Sequence, residues 1–387
     1  MRLPIYLDHN ATTPCDPEVL EAMLPFFGEQ FGNASSIHHP YGWLADDAVE
    51  QAREQTAQLI GAKPTEIIFT SGATEAINLG IRGVMMAKEK PAEKDHIVTV
   101  ATEHSAVLDT VRAMERVGFR ATYLPVKPDG LVDVADVAAA LTEKTALLVV
   151  MAANNETGVL QPLREIGELT RKKGVLLMSD AVQAVGKIPI NVADMPIDLL
   201  ALSAHKFYGP KGVGALYVRK RKPLVALEPL LTGGGHERGM RSGTLNVPGI
   251  VGLGRACQVA GRLIESESRR LGSLRDMLES TLLQLPGTRV NGNRDNRLPH
   301  VTNLSFDGVE GKEWLIALNR KIAVSSGSAC SSITERASHV LLAMGVSEAR
   351  GKASVRFGLG RSTTETDIAT ATDHIIATLK RLQRNPA

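Results

Sequence analysis

The stretch Leu199-Leu200-Ala201-Leu202-Ser203-Ala204-His205-Lys206 passes from an apolar run directly into a turn of small residues with a histidine and a lysine. A continuous apolar run of this length predicts a strand buried on both faces, as in a parallel sheet. In open α/β sheets, ligands lie beyond the carboxyl ends of such strands. The residues that follow each apolar run are therefore the first candidates for a functional site.

Similar apolar runs recur along the chain, separated by helical stretches and polar turns. They lie at residues 66–69, 97–100, 146–150 and 175–178, and a further strand is expected at residues 213–218. The alternation of strands and helices, from about residue 17 to about residue 260, predicts an α/β domain.

The pattern changes after about residue 246, where a long helical stretch leads into shorter strands and helices. A last helix is expected near residues 365–383, because Thr364 and Asp367 fit a capping pattern before apolar residues at helical spacing. We predict a large domain over residues 12–260 and a smaller α+β domain built from residues 1–11 and 261–387.

Charge and cysteine content exclude several classes of protein. The chain has 387 residues with 44 basic and 42 acidic side chains, which gives no overall attraction to nucleic acid or to an anionic membrane. Three cysteines cannot build a disulfide framework, and no apolar segment has the length of a signal peptide or a membrane span. We therefore expect a cytoplasmic protein. The basic run at residues 219–222 is interpreted as a solvated strand end, with docking of an acidic partner as the alternative.

Polar groups follow the first three predicted strands. Residues 70–76 carry small side chains into a helix whose free N–H groups would suit a phosphate, although an ordinary capped helix start has the same pattern. His104 could be a satisfied polar residue or a stacking and proton-transfer group. Asn154 and Asn155 precede a Gly turn and could form only an Asx turn.

Asp180 and Lys206 follow two strands that we expect to be neighbours in the sheet. A carboxylate at the end of a buried strand needs a partner, and a pyridinium N–H of a cofactor would supply one. A lysine with a lowered pKa readily forms a Schiff base with an aldehyde. The alternative for Lys206 is a surface lysine, but the coordinated strand ends favour a cofactor lysine.

Three later segments also carry chemically useful groups. Residues 233–244 form a glycine-rich loop with Arg and Thr, which could bind phosphate or be only a surface loop. Cys330 lies in a Ser- and Gly-rich run, which predicts an accessible thiol, whereas Cys257 lies in a helical pattern and is expected to be inert. Arg356 lies on a predicted strand and could bind a substrate carboxylate or form a structural ion pair.

Together these segments resemble the cysteine desulfurases of the NifS/IscS type, in the class-V branch of fold-type-I pyridoxal-phosphate enzymes. The resemblance runs from Tyr6-Leu7-Asp8-His9-Asn10 through Phe31-Gly32-Asn33-Ala34 and the strand ends to Arg361. The Lys206 turn, the glycine-rich loop and Ser325–Cys330 are the most specific segments. The resemblance implies an aminotransferase-like large domain with a mostly parallel seven-stranded sheet. The smaller domain would carry the cysteine loop at about residues 322–336.

The resemblance also implies roles for individual residues around pyridoxal phosphate. Lys206 would bind the cofactor and move protons, His104 would stack on the ring, and Asp180 would pair with the ring nitrogen. Asn155 and Gln183 would contact the ring hydroxyl. The phosphate would be held by Ala73, Thr74, Ser203 and His205, and by Thr244 of the other subunit of a homodimer.

For the substrate, the resemblance implies that Arg356, Asn155 and Asn33 bind the carboxylate of L-cysteine. Cys330 would take up the sulfur as a persulfide and pass it to an acceptor such as an iron–sulfur scaffold, with a transient iron–sulfur contact through the persulfide. No nucleic-acid or membrane partner is implied. The chain departs from the common family pattern at Arg336-Ala337, where Glu-Pro is frequent, and at Gly358, where Ser is common.

Other activities are compatible with parts of this pattern. A selenocysteine lyase of the SufS subgroup or a class-V aminotransferase would use the same fold. However, the Ser325–Cys330 segment argues against both. A catalytically silent sulfur-transfer scaffold is disfavoured by the presence of Lys206, His104 and Asp180 together.

Overall fold

The computed structural model describes residues 3–222, 224–326 and 337–384. In these residues the strands are β1 (Ile5–Tyr6), β2 (Ile67–Thr70), β3 (His96–Val100), β4 (Arg120–Leu124), β5 (Thr145–Val149), β6 (Leu176–Asp180), β7 (Leu199–Ser203), β8 (Gly214–Val218), β9 (Thr288–Val290), β10 (Val301–Phe306), β11 (Ile322–Ala323) and β12 (Ser354–Gly358). The α-helices are α1 (Pro17–Met23), α2 (Pro40–Ile60), α3 (Ala73–Met86), α4 (Ser105–Arg116), α5 (Val134–Ala140), α6 (Leu163–Lys173), α7 (Val247–Leu282), α8 (Gly311–Leu318), α9 (His339–Ala343), α10 (Glu348–Lys352) and α11 (Glu365–Arg384).

A seven-stranded sheet has the order β2-β8-β7-β6-β5-β3-β4. The pairs from β7 to β4 are parallel, and β8 is antiparallel to both β2 and β7. This arrangement confirms the predicted fold class, a mostly parallel sheet in an α/β protein. The strand β4 was not predicted, because this edge strand is partly exposed and has no continuous apolar run.

Apolar side chains cover both faces of the seven-stranded sheet. On one face, residues of α3 and α4 pack against Ile97, Val149 and Met178. On the other face, α2, α5, α6 and the first half of α7 pack against Val98, Leu148 and Leu177. Burial on both faces explains why these strands have nearly continuous apolar sequences.

A second group of elements packs around the carboxyl-terminal half of α7. Its strands form the antiparallel sheet β12-β10-β9 and the parallel pair β1-β11. The last helix, α11, begins with the expected capping pattern, since Thr364 Oγ1 accepts from Asp367 N and Asp367 Oδ2 accepts from Thr364 N. In the parts of the chain that the structure describes, no helix is long and apolar enough to cross a bilayer.

The basic run at residues 219–222 is not wholly solvated, so that interpretation was wrong for Arg219. The Arg219 side chain is buried, and its Nε donates to Asp198 Oδ1 at 2.5 Å. The Lys220 N–H donates to Glu66 Oε1. This part of the run is therefore a structural anchor at the end of β8.

Lys187 is buried between the turn that follows β6 and helix α7. Its Nζ lies 4.5 Å from the centre of the Tyr208 ring and has no hydrogen-bond partner among the described residues. Burial is the main cause that lowers the pKa of Lys187, Glu267 opposes it and Arg361 reinforces it, and together they lower the pKa from 10.5 to about 8. The unfolded chain therefore binds more protons than the folded chain between these two pH values, and stability rises with pH there.

Replacing Lys187 with methionine is expected to raise the free energy of unfolding at pH 7 by roughly 2 kcal/mol, after allowance for the lost contact with Tyr208. The gain should shrink as the pH rises from about 8 toward 10.5, because Lys187 is then uncharged in the folded protein and the cost of removing the proton from the unfolded chain falls. Chemical denaturation at pH 7 and pH 10 measures this. The exposed Lys172→Met is the control, and a Lys187→Met protein less stable than wild type at pH 7 would contradict the argument.

Candidate active site

A cavity of about 460 Å³ lies at the carboxyl ends of the parallel strands, within the usual range for small-molecule sites. The turns after β2, β3, β5, β6 and β7 supply most of its wall, and the amino-terminal segment and β12 close it. It is lined by Asn10, Ala11, Ser71, Gly72, Ala73, Thr74, Glu75, Ile77, His104, Ala106, Met151, Ala153, Asn155, Asp180, Val182, Gln183, Ser203, His205, Lys206, Lys211, Gly212 and Arg356.

Most of the residues predicted from the sequence meet in this cavity. They are Ala73, Thr74, His104, Asn155, Asp180, Gln183, Ser203, His205, Lys206 and Arg356. Asn33 is exposed and lies outside the cavity lining, where its Oδ1 accepts from Ser35 N. Thr244 is also exposed and lines a separate small cavity beside Ser71 and Gly212. Cys330 and Arg336 lie outside the described residues.

One end of the cavity suits a phosphate group. Gly72 is the N-cap of α3. The first N–H groups of the helix, at Ala73 and Thr74, therefore have no carbonyl acceptor within the helix and can bind an anion. Gly72 has φ of +151°, and Gly214 on β8 approaches it so closely that a Cβ on Gly214 would lie 2.8 Å from Gly72 Cα. The two glycines therefore bring the loop at residues 71–74, here called the phosphate loop, against the end of the sheet.

His205 lies near this end and is neutral at physiological pH. Burial and the charges of Lys206 and Lys211 lower the pKa of His205 to about 4. One ring nitrogen, Nδ1, lies 3.1 Å from Thr12 Oγ1. A neutral imidazole still carries one N–H, so His205 can donate a hydrogen bond to an anion without bringing a charge.

Lys206 extends its amine from the turn after β7 into the cavity. Nζ donates to the carbonyl oxygens of Asn10 and Ala11, at 2.7 Å each. These two carbonyl acceptors hold the amine inside the cavity, where Asp180 also lies. The amine is therefore positioned to attack an aldehyde.

Asp180 ends β6 beside β7, so it and Lys206 come from neighbouring strands. Asp180 Oδ1 accepts from Val182 N at 3.0 Å. Burial raises the pKa of Asp180, while His104, the Val182 N–H and Lys206 act in the opposite direction. A buried carboxylate of this kind would be stabilised as an anion by a cationic ring N–H inside the cavity.

His104 is fixed at the start of α4. Its Nδ1 accepts a hydrogen bond from Ala106 N at 3.1 Å, so in the neutral ring the proton is on Nε2. The preceding residue, Glu103, is fully buried, and burial raises its pKa well above the usual carboxyl range. Glu103 Oε1 accepts from Met151 N, which joins the turns after β3 and β5.

Asn10 and Gln183 form a reciprocal pair across the cavity wall. Asn10 Nδ2 donates to Gln183 Oε1 at 3.2 Å, and Gln183 Nε2 donates to Asn10 O at 3.1 Å. Asn10 fits tightly beside Gly358, where an added Cβ would lie 2.2 Å from Asn10 Oδ1. Glycine at position 358, which departs from the common family pattern, therefore leaves room for Asn10 in its present position.

Arg356 is buried on β12 and reaches the cavity. Its Nη2 donates to Asp8 Oδ1 at 2.6 Å, and its Nη1 donates to Asn155 O at 2.9 Å. The structural ion pair expected as the alternative is present, and Arg356 also lines the cavity, so binding of a substrate carboxylate stays a prediction. Among the described residues, Arg356 Nε and Asn10 Oδ1 are buried without a hydrogen-bond partner, which fits a polar ligand in the cavity that both residues line.

Sequence reasoning missed several residues of the wall, including Asn10, Glu75, Met151 and Lys211. Asn10 lies in the segment Tyr6–Asn10, far in sequence from the strand ends. The pairing of β1 with β11 and the bridge between Asp8 and Gly358 bring it to the cavity. Glu75 lies within the segment at residues 70–76 and Met151 directly follows the apolar run at residues 146–150, so a closer inspection of these two segments would have found both.

Comparison with known proteins agrees with this geometry. A family model described as aminotransferase class-V matches residues 5–370. A cysteine desulfurase IscS from Anaeromyxobacter sp. (strain Fw109-5) is 52% identical over 377 residues, which is 97% of this chain and 91% of the relative. A solved NifS-like protein superposes with a TM-score of 0.91 at 38% identity, covering 98% of this chain and 100% of that one. A structure of SspA in complex with cysteine has a TM-score of 0.81 at 38% identity, covering 92% and 98%.

Pyridoxal phosphate is the cofactor of this family, and the residues present fit it. The cavity offers an amine at Lys206, a buried carboxylate at Asp180 and the free N–H groups of the phosphate loop, which match the aldehyde, the ring nitrogen and the phosphate. The chain belongs to the class-V aminotransferase family, among its pyridoxal-phosphate-dependent cysteine desulfurases.

Proposed function

We propose that this chain removes sulfur from L-cysteine to give L-alanine, and that Cys330 accepts the sulfur as a persulfide. The observation that carries the proposal is the meeting of Lys206 and Arg356 in one cavity, an amine for the cofactor and a guanidinium for the substrate carboxylate. The named activity of the relatives, cysteine desulfurase, supports the same conclusion.

Bound pyridoxal phosphate draws electron density away from the α-carbon of an amino acid. The side chains of this protein direct that chemistry. Arg356 would orient the substrate carboxylate, and Asn155 would help it. Lys206 would move protons at the substrate carbons, since its amine is held inside the cavity. The Asp180 carboxylate would accept the N–H of the cofactor ring and keep that ring nitrogen protonated.

The transfer of sulfur would need only the thiol of Cys330 and the thiol of the substrate. The Cys330 thiolate would attack the sulfur of the substrate, forming an S–S bond while the bond from that sulfur to carbon breaks. The carbon would then take a proton and leave as alanine. No external oxidant is needed, because the substrate carbon is reduced as the two sulfur atoms become a persulfide.

We further propose that the protein is a homodimer. A group of apolar side chains near the amino terminus is exposed in the single chain and could be covered by a second copy. They are Leu20, Leu24, Phe27, Phe31, Ile37, Tyr41, Trp43 and Leu44. The exposed position of Thr244 is compatible with a role at the cofactor phosphate of the partner subunit.

The remaining proposals concern organisation and sulfur delivery. A division near residue 260 is supported by α7, whose first half packs with the seven-stranded sheet and whose second half packs with the small sheets. Residues 1–11 would belong to the smaller domain, since β1 pairs with β11. We also propose a cytoplasmic location. Cys330 would pass its sulfur to an acceptor such as an iron–sulfur scaffold and would make a transient iron–sulfur contact during the transfer.

Cys330→Ala is expected to lower sulfide release from L-cysteine by at least about 10²-fold, because the nucleophile that accepts sulfur is removed. Alanine and sulfide should be measured together with persulfide labelling of the protein. Cys257→Ala is the control, since Cys257 is buried on α7 and burial raises its pKa to about 12.

Each competing activity has its own outcome in this assay. Unchanged alanine and sulfide production by Cys330→Ala would refute the persulfide step. A keto acid formed in place of alanine would indicate an aminotransferase. A marked preference for selenocysteine would indicate a selenocysteine lyase. A wild-type protein that binds no pyridoxal phosphate would indicate a silent scaffold.

A further inference from the structure

The glycine-rich loop (residues 233–244) is fixed to the edge of the seven-stranded sheet by a buried ion pair. Arg53 of α2 donates from Nη2 to Glu237 Oε1 at 2.8 Å and from Nη1 to Glu237 Oε2 at 2.9 Å. Glu237 Oε2 also accepts from Phe69 N at 2.8 Å, and Arg53 Nη1 donates to Ile67 O. The pair therefore satisfies backbone groups on the open side of β2, the edge strand that leads into the phosphate loop.

The backbone at this anchor is held in an unfavourable conformation. Glu237 has φ of +49° and Arg238 has φ of +59°, a region that residues other than glycine rarely occupy. Such conformations persist only where the surrounding contacts hold them. The contacts of Glu237 with Arg53 and Phe69 are of this kind, as are those of Arg238 with the carbonyls of Thr65 and Ile67.

A second ion pair fixes the loop on the other side of the phosphate loop. Arg241 Nε donates to Glu75 Oε1 at 2.8 Å, and Glu75 Oε2 accepts from Ser71 N at 2.7 Å. Despite burial, these contacts with Arg241 and Ser71 hold the pKa of Glu75 below its usual range. The two anchors thus bind residues just before and just after the phosphate loop, at Phe69 and Glu75.

We propose that the pairs Arg53–Glu237 and Arg241–Glu75 are positioning pairs that fix the glycine-rich loop to the phosphate loop of the same subunit and thereby hold Thr244 at the cofactor phosphate of the partner subunit. Two residues separate Arg241 from Thr244, so a shift of one anchor is passed to Thr244 through a short chain segment. Cofactor binding at one site is consequently coupled to the phosphate loop of the other. The inference rests on the proposed homodimer.

Arg241→Gln tests the half-buried anchor, the pair Arg241–Glu75. The dissociation constant of pyridoxal phosphate, titrated into the apoprotein, is expected to rise about tenfold, since a charge-assisted hydrogen bond to the loop is lost. Arg112→Gln is the matched control, because Arg112 forms an exposed ion pair with Asp109 away from the site. An unchanged dissociation constant in Arg241→Gln would refute the role of this anchor.

Glu237→Gln tests the buried anchor, and Glu50→Gln is its control. Glu50 also pairs with Arg53, through Nε at 2.9 Å, but among the described residues no hydrogen bond or ion pair joins Glu50 to the glycine-rich loop. We expect weaker cofactor binding in Glu237→Gln and unchanged binding in Glu50→Gln. If Glu237→Gln fails to fold, the Arg241 variant and the dimers described next decide the question.

Mixed dimers separate an effect across the interface from a local one. In the first dimer, one chain carries both Arg241→Gln and Lys206→Ala, and the other chain is wild type. Only the cofactor site of the wild-type chain then has Lys206, and this site receives Thr244 from the variant chain. We expect the loss of affinity to appear at this site. In the second dimer, one chain carries Arg241→Gln and the other carries Lys206→Ala. The cofactor site that keeps Lys206 then belongs to the Arg241→Gln chain and receives Thr244 from a glycine-rich loop without a substitution.

An unchanged affinity in the first dimer overturns the inference, whatever the second dimer shows, since the anchor would then act only within its own chain. The wild-type protein distinguishes this failure from failure of the proposed function. A wild-type dimer that binds pyridoxal phosphate and releases alanine from cysteine leaves the proposed function intact. A wild-type monomer would overturn the homodimer and this inference together.

Discussion

Replacing Lys206 with alanine is expected to lower the turnover of L-cysteine by at least about 10³-fold, because the covalent anchor of the cofactor and the proton-transfer group are lost together. In the folded chain the Lys206 amine is held by the carbonyls of Asn10 and Ala11, at 2.7 Å each. Removing it leaves the cavity wall otherwise intact. Steady-state alanine release and the absorbance of the bound cofactor measure the effect.

Lys206→Arg is the matched variant for this prediction. Arginine keeps the positive charge and can donate to the same carbonyls, but a guanidinium does not form a stable Schiff base at neutral pH. We therefore expect Lys206→Arg to be as inactive as Lys206→Ala and to bind the cofactor only noncovalently. Activity within about tenfold of wild type would mean that Lys206 acts through its charge alone.

The second large effect is expected at Asp180. Asp180→Asn should lower kcat by roughly 10²- to 10³-fold, because an amide cannot supply the negative charge that stabilises a protonated ring nitrogen. The change is nearly isosteric, so the hydrogen bond with the Val182 N–H should remain. Single-turnover measurements and a titration of cofactor affinity would separate a loss of chemistry from a loss of binding.

Ser179→Ala is the control for Asp180→Asn. Ser179 is the neighbouring residue on β6 and is buried, and successive side chains of a strand point to opposite faces. Its Oγ has no hydrogen-bond partner in the described parts of the chain. Ser179→Ala should keep nearly wild-type activity, and an Asp180→Asn enzyme with unchanged kcat would remove Asp180 from the proposed mechanism.

Much of the site could be predicted from sequence because it is built from consecutive residues. Ser203 ends β7 and is followed by His205 and Lys206, and Asp180 ends β6, so each could be found by examining the end of an apolar run. The sequence places Glu237 and Arg241 in a glycine-rich loop but does not indicate what they contact. Their partners, Arg53 and Glu75, are more than 160 residues away, and no local pattern indicates such contacts.

The sequence by itself determined the buried parallel strands, because burial on both faces demands continuous apolar runs. It also determined that polar turns meet at one edge of the sheet, because the chain leaves every parallel strand at the same edge. Only the tertiary structure decided that Asn10 and Arg356 close the cavity and that Glu237 fastens the glycine-rich loop to β2. These contacts join segments 168 residues or more apart. They depend on the packing of whole elements, which local spacing does not encode.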